Sequence, residues 1–410
     1  MQALEKFYGL EKEGGKDSSN RVILGLAQYP SDMPPQPAPY SMCRKEECDD
    51  RQSSGEVSIF ERMSSSIGRS SSLQAALQNS QTKATKDRYA IDPCLAVSKY
   101  RRSAAGVTDR YPPRTMEQLH GTVQYLQQLL IAAPSRSPDG VPVSYLSVVE
   151  FVQDRFRAVQ VDLTRSQQTS KRIQLSMIRS QILIIYFMAD VPEYSSKLGM
   201  DALKAALSNY WLNTKDSTEI QREWDDEVLA YTLLLQVCCE EPLSFSELYR
   251  KVYRGKGELL NWSLRLAGEW AQGNWFIVLK LLREGSNHAT FSALVRCCVA
   301  RQLSHLRWNA LQMYNVTWGR AEAVPLEDVA RLLMRKDSAT FCQACGLSLT
   351  DTKDAILFEV SQLEQPAIVF PIRDDDFVFG PSGGSFRSVT VAKISLKLPS
   401  IKYMTSLCFF

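Results

Sequence analysis

Positively charged residues alternate with tyrosines between residues 83 and 114. This segment holds eight Lys or Arg against three Asp, and Tyr89, Tyr100 and Tyr111 are spaced through it. Cations can pair with phosphates and aromatic rings can stack on bases, so the pattern predicts binding of a single-stranded nucleic acid. The alternative is a solvated basic segment that packs its tyrosines against the folded protein. Composition alone leaves both interpretations open.

The densest part of this segment is "AVSKYRRSAAG", residues 96–106, which is followed by Arg110 and by "YPPR". Two further arginines lie two positions apart in "DRFRAV", so on a helix they point to different faces and do not form one clamp. The residues assigned to a nucleic acid or to an acidic partner are Lys99, Tyr100, Arg101, Arg102, Arg110, Arg114, Arg155 and Arg157.

The sequence offers no set of residues that is typical of catalysis. Its three histidines lie inside helical patterns with no nucleophile motif beside them, and neither GxxxxGK[ST] nor GxGxxG occurs. Cys342 and Cys345 have a spacing that metal and redox sites use, but a second ligand pair is missing from the sequence around them. We therefore expect structural thiols, no catalytic residues, no metal, no cofactor and no enzymatic activity.

Composition and charge describe an ordinary globular protein. The 410 residues are 44% hydrophobic with a formal net charge of +3, which excludes a generally basic surface for nucleic acid but allows a local patch. Adjacent cysteines at 238–239 and 297–298 lie in apolar helical sequence, where reduced thiols are expected. Neither a signal peptide nor a membrane span is predicted, so we expect an intracellular, soluble chain without membrane insertion.

The chain divides into four predicted parts. Residues 1–85 are rich in Ser, Pro and Gln and predict a flexible arm, in which the islands "SMCRKEE" and "VSIFER" are expected to dock onto the folded body. Residues 86–319 contain the basic segment and then helical periodicity almost throughout, which predicts an α-solenoid of stacked helix pairs. Residues 320–398 change to two short helices followed by strand-like pieces, and residues 399–410 are an unassigned tail.

Helices followed by a β-hairpin predict a small winged-helix domain at residues 320–398. The segment carries nine Lys or Arg and eleven Asp or Glu, a net charge of −2. Its second helix, "SATFCQACGL", contains no cation, whereas a winged helix that grips duplex DNA alone is expected to be basic there. We therefore predict either a protein–protein surface or one half of a composite platform.

The order of several motifs resembles that of the Sac-three/GANP family. Members carry a C-x-D-M-C-P-x-x-E-like motif, an "LSVFE"-like island, "AVKEYSRSSAG" and a "DRFRAVRQDLT"-like helix. Here the corresponding segments are "SMCRKEE", "VSIFE", "AVSKYRRSAAG" and "DRFRAVQVDLT", and "VPLEDVARLLM" with "ATFCQACGL" resembles the opening of the family's winged helix. Pro39 stands where the family has the first Cys, Arg44 replaces the Pro, and Gln160 stands where the family has an Arg.

The resemblance implies a mostly α fold, with a PCI-like α-solenoid capped by a winged helix. It implies a non-enzymatic scaffold that couples transcription or mRNA processing to mRNA export, in the nucleus and also in the cytoplasm, with possible association with the nuclear pore. The implied partners are a second PCI-domain protein, a small acidic subunit, and RNA or DNA bound by the complex. The alternative is a structural PCI adaptor without nucleic-acid binding, in a centrosome- or spindle-linked or proteasome-lid-like assembly.

Overall fold

The protein is represented by a computed structural model that describes residues 37–63, 90–101, 111–132, 134–138, 140–167, 170–211, 219–239, 257–284, 292–317 and 323–358, together with residues 363, 372 and 374. These residues are mostly helical and form two compact units, divided between Met177 and Ile178. Among the described helices, none combines the length and the apolar character that a membrane span requires.

The first unit contains three complete helices and the start of a fourth. The helices are α1 (Lys45–Ser54), α2 (Met116–Ala132), α3 (Tyr145–Arg165) and α4 (Lys171–Phe187), and a short 3-10 turn covers Ile59–Glu61. The islands "SMCRKEE" and "VSIFER" both belong to this unit; the first contributes the opening residues of α1, and the second contains the 3-10 turn. Only residues 37–63 of the predicted arm are described, and they are folded.

Helix α3 shows why the predicted periodicity produces a helix. The Ser144 hydroxyl caps its first turn by accepting a hydrogen bond from the backbone N–H of Ser147. Its apolar residues recur every three or four positions and form the buried face of the helix, since each of them is at most 3% exposed. These residues are Val148, Val152, Phe156, Val159 and Leu163.

The second unit continues the helical pattern. Its helices are α5 (Ser196–Trp211), α6 (Glu219–Cys239), α7 (Glu258–Ala271), α8 (Trp275–Glu284), α9 (Ser292–Ala300) and α10 (Leu303–Thr317). Helix α6 packs against α7 and α9, α7 against α8, and α8 against α10. Packing between helices that are near in sequence is the arrangement of a helical-repeat domain, as the sequence predicted.

A small α/β segment follows the last of these helices. It consists of β1 (Ala323–Pro325), α11 (Leu326–Leu333), α12 (Ser338–Ala344), β2 (Ser348–Leu349) and β3 (Ala355–Leu357). The three strands form an antiparallel sheet in the order β1-β3-β2. Helix α12 ends shortly before Gly346, whose φ of 87° suits a residue without a side chain. The remaining predicted strands and the tail lie outside the described residues.

Arg307 of α10 binds this α/β segment to the helical part of the second unit. Its buried guanidinium donates to the carbonyl oxygens of Leu333 and Met334, at 2.8 and 2.7 Å, and to the Asp374 carboxylate at 2.9 Å. The two carbonyls end α11 and have no partner within that helix, so a cation there satisfies them and complements the helix dipole. Helices α10 and α11 are thereby fixed to each other.

Candidate partner and nucleic-acid interface

A buried carboxylate joins the motif segments of the first unit. Glu61 is fully buried, and its Oε1 accepts a hydrogen bond of 2.8 Å from the backbone N–H of Val97. Its Oε2 contacts the guanidinium groups of Arg51 and Arg155, the latter at 3.1 Å. Arg51 also donates to the Val97 carbonyl at 3.0 Å. Residues from four segments, those of Arg51, Glu61, Val97 and Arg155, therefore meet at one acid, and we call this group the Glu61 network.

The Glu61 network holds one carboxylate against two cations, all out of water. Such a group is stable only when every charge keeps its partner, because an unpaired buried charge is very costly. Burial lowers the pKa of Arg51, but the charge and hydrogen bond of Glu61 outweigh it, so the pKa lies above its ordinary value. Arg51 therefore stays charged in the folded protein.

Two buried cysteines pack at the N-terminus of α1. Cys43 and Cys48 are buried beside Ile91 and Ala96. Cys43 precedes the N-cap residue Arg44, and Cys48 is the fourth residue of the helix. Apolar residues at these two positions often pack against each other. The hydrogen bond with Cys48, together with burial, raises the pKa of Cys43 well above its ordinary value. Both observations fit structural thiols. Among the described residues, no group of three or more Cys, His, Asp or Glu could hold a metal ion.

Arg114, one of the predicted binding residues, is 3% exposed. Its Nε donates to the Asp162 carboxylate at 2.6 Å and its Nη1 donates to the Met42 carbonyl at 3.1 Å. The neighbouring prolines are held in the same way, because Arg44 donates to the carbonyls of Pro112 and Pro113 at 3.1 Å each. The "YPPR" segment is thus fixed between α1 and α3.

The backbone of "KYR" is fixed while its side chains reach the surface. The N–H of Lys99 donates to Glu47 at 2.9 Å, and that of Tyr100 donates to Asp154 at 3.3 Å. The Lys99 side chain is 37% exposed, and its ammonium pairs with the exposed Glu56 at 3.2 Å. The exposed guanidinium of Arg101 lies over the ring of Tyr111, 5.6 Å from its centroid.

Helix α3 separates its two predicted arginines. Arg155 is buried in the Glu61 network, whereas Arg157 is exposed on the other side of the helix. Their side chains therefore lie on different sides of α3, as two positions on one helix require. Among the predicted residues, Lys99, Tyr100, Arg101 and Arg157 reach the surface at least in part, while Arg114 and Arg155 are internal. Arg102 and Arg110 lie outside the described residues.

A family model for the SAC3/GANP family matches residues 42–351. The chain belongs to this family. The match covers all the motif segments that meet at Glu61 and extends through α12 and β2. Comparison with curated proteins gave no match, and comparison with solved structures gave none. The SAC3/GANP family is associated with nuclear mRNA export, and its members are non-catalytic scaffolds.

The SAC3/GANP motifs include acids that sequence reasoning did not assign. Glu61 ends the "VSIFE" island, Glu47 lies in "SMCRKEE", and Asp154 begins "DRFRAV". A search for basic residues passes over them, although each holds the backbone of "AVSKY" in place. The sequence did contain a signal for these acids, because each of the three segments has an acidic residue beside its basic residues.

Proposed function

We propose that this chain is a non-enzymatic scaffold subunit of a PCI-type nuclear complex that couples transcription or mRNA processing to mRNA export. The observation that carries the proposal is the family match over residues 42–351. The Glu61 network supports the proposal, because it shows that the motif segments of the family pack together around one buried carboxylate. A rigid first unit can present a constant surface to partners.

The α/β segment is proposed to be the winged helix of this scaffold. The order β1-α11-α12-β2-β3 and the sheet order β1-β3-β2 support this assignment. The exposed side chains of α12 include Thr340 and Gln343 and no cation, which favours a shared platform over independent binding of duplex DNA. A second PCI-domain protein would complete the platform, with a small acidic subunit in the same complex.

The proposed nucleic-acid contact of this chain is the surface formed by Lys99, Tyr100, Arg101, Tyr111 and Arg157. The Arg101–Tyr111 stack offers a cation and an aromatic ring together, which suits a single-stranded RNA. Arg114 and Arg155 act within this proposal by positioning the segment, since both are buried and ion-paired. The proposed location is the nucleus, with possible pore association, and also the cytoplasm.

Two measurements test the proposal in turn. The tagged full chain is first recovered from nuclear extract with and without RNase. Recovery of a second PCI-domain protein that resists RNase supports the scaffold, while recovery of centrosomal or proteasomal proteins alone overturns the export assignment in favour of the adaptor.

The second measurement is RNA binding by the reconstituted complex. The triple variant Lys99→Glu, Arg101→Glu and Arg157→Glu is compared with Lys197→Glu, which reverses an exposed charge on α5. A plot of log affinity against log salt has a negative slope, and the loss of three phosphate contacts should make that slope less steep by about 2 for a single strand. Equal RNA affinity for the triple variant and for Lys197→Glu contradicts the assigned contact surface.

A further inference from the structure

The C-terminal end of α1 carries two acids that engage residues of the proposed nucleic-acid contact. Asp50 lies in the last two turns of α1, and Glu56 follows the end of the helix at Ser54. The Lys99 ammonium donates to Glu56 Oε2 at 3.2 Å, and the Tyr111 hydroxyl donates to the Asp50 carboxylate. The same end of one helix therefore contacts a cation and an aromatic ring of that contact.

Glu56 binds the cation that a phosphate would use. The side chains of Lys99 and Glu56 are 37% and 49% exposed, and an ion pair exposed in this way contributes little to stability. The backbone of Lys99 does not depend on the pair, since its N–H donates to Glu47 at 2.9 Å. A phosphate that approaches Lys99 therefore competes with Glu56 for the ammonium, and the segment keeps its place when the pair opens.

Asp50 holds an aromatic ring instead of a charge. The ring of Tyr111 lies under the Arg101 guanidinium, 5.6 Å from centroid to cation, and its hydroxyl donates to Asp50. A hydrogen bond to a carboxylate is stronger than one between neutral groups. A ring that is already fixed loses little freedom when a base stacks on it, so its binding costs less free energy.

We propose that these two acids act on the nucleic-acid contact in opposite directions: Glu56 competes with phosphates for Lys99, and Asp50 positions Tyr111 for stacking. The inference rests on the proposed function, because it concerns the same contact. It adds a basis for selectivity. Competition by Glu56 weakens the binding of every polyanion, whereas the fixed ring strengthens only the binding of strands that carry bases.

Two probes separate the phosphate effect from the stacking effect. One is single-stranded oligouridylate of about twelve nucleotides, within the range that single-strand sites cover. The other is an abasic oligomer with the same sugar-phosphate backbone and the same length. Fluorescence anisotropy measures the affinity of both probes for the reconstituted complex at low salt. The unmodified complex should bind oligouridylate more tightly than the abasic oligomer.

Glu56→Gln tests the competition for Lys99. It should increase the affinity for both probes by about threefold, as expected when an exposed ion pair no longer has to open. The gain should shrink at high salt, which screens exposed charges. Glu193→Gln is the matched control, because it makes the same chemical change at an exposed residue of the second unit. It should leave the affinity for both probes unchanged.

Asp50→Asn and Asp50→Ala together test the positioning of Tyr111. Both substitutions remove the same charge, but only the Asn side chain keeps an oxygen that accepts the Tyr111 hydroxyl. The Asn variant should therefore bind oligouridylate roughly threefold or more tightly than the Ala variant, since the Ala variant must immobilise the ring on binding. The two variants should bind the abasic oligomer equally well.

The results also separate this inference from the proposed function. Unchanged affinity in Glu56→Gln overturns the competition. Equal affinities of the two Asp50 variants for oligouridylate, or the same difference on both probes, overturn the positioning role. If the triple variant at Lys99, Arg101 and Arg157 lowers RNA affinity while these variants have no effect, the contact stands and only the inference is wrong. If the triple variant has no effect either, both fail. Unchanged circular dichroism confirms that each variant is folded.

Discussion

Glu61 in the first unit and Arg307 in the second are the centres of two buried polar networks of opposite design. Glu61 is an acid that forms ion pairs with two arginines and accepts a hydrogen bond from a backbone N–H. Arg307 is a cation that relies on two backbone carbonyls and on Asp374, whose side chain is 17% exposed. The first network pairs full charges, and the second satisfies the end of a helix.

The pKa values of the arginines follow this difference. Burial disfavours the charged form in both networks, but the Glu61 carboxylate outweighs it and raises the pKa of Arg51. Burial prevails at Arg307 and lowers its pKa to about 10, although Asp374 opposes the shift. Arg307 has an ion-pair partner as well, but the nearby Arg335 adds to the effect of burial. The Glu61 network should also be the more damaging of the two to break.

The largest expected effect is that of Glu61→Gln. The substitution keeps the size of the side chain but leaves the buried Arg51 without its ion-pair partner and Arg155 with only the partly exposed Asp154, so it should cost about 3–5 kcal/mol of unfolding free energy. Urea denaturation measures the change. Glu56→Gln, at the exposed partner of Lys99, should cost less than about 0.5 kcal/mol. Similar losses for the two variants would contradict the neutralising role of Glu61.

Arg307→Met should have the next largest effect. It removes the hydrogen bonds to the Leu333 and Met334 carbonyls and should cost about 2 kcal/mol, less than Glu61→Gln because it also relieves a buried charge. Amide exchange should accelerate between residues 323 and 358. Arg331→Met serves as the control, since Arg331 is exposed and pairs with Glu327 and Asp328 of its own helix. If Arg307→Met left amide exchange in the α/β segment unchanged, Arg307 would not be holding that segment to α10.

Arg44→Ala tests a contact that departs from the family motif. It removes two hydrogen bonds to the carbonyls of Pro112 and Pro113, and it should cost about 1 kcal/mol by thermal unfolding. Lys45→Ala removes an adjacent, exposed cation and should leave the melting temperature nearly unchanged. If the two substitutions were equivalent, the Arg44 contacts would not contribute to fixing the "YPPR" segment.

The last expected effect appears only at alkaline pH. Burial raises the pKa of Cys342 to about 12 and that of Cys345 to about 11, above the value of 9.0 for an ordinary thiol. The unfolded chain then releases these protons first, so stability from the neutral thiols is complete below pH 9 and falls as the pH rises toward 11. The unfolding free energy of the double variant Cys342→Ala and Cys345→Ala should depend less on pH across that window than that of the unmodified chain. The same pH dependence in both proteins would contradict the raised pKa values of these thiols.

The spacing of apolar residues was sufficient to predict the helices, and the order of the motifs could be read directly from the sequence. The stripe from Val148 to Leu163 repeats every three or four residues, and burying it is possible only as one face of a helix. The short strands β1 and β2 were harder to foresee. They contain three and two residues, so their pairing with β3 depends on the tertiary contacts of α11 and α12 rather than on alternation.

The sequence by itself determined the helical character, the family motifs and the local excess of cations. Only the tertiary structure decided that Arg114 and Arg155 are internal while Arg101 and Arg157 reach the surface. Their chemical type is the same, and the difference lies in partners that the chain brings from elsewhere. Glu61 reaches Arg155 across 94 positions of sequence. A buried cation requires a distant acid or carbonyl to replace water, and local sequence does not specify where that group will lie.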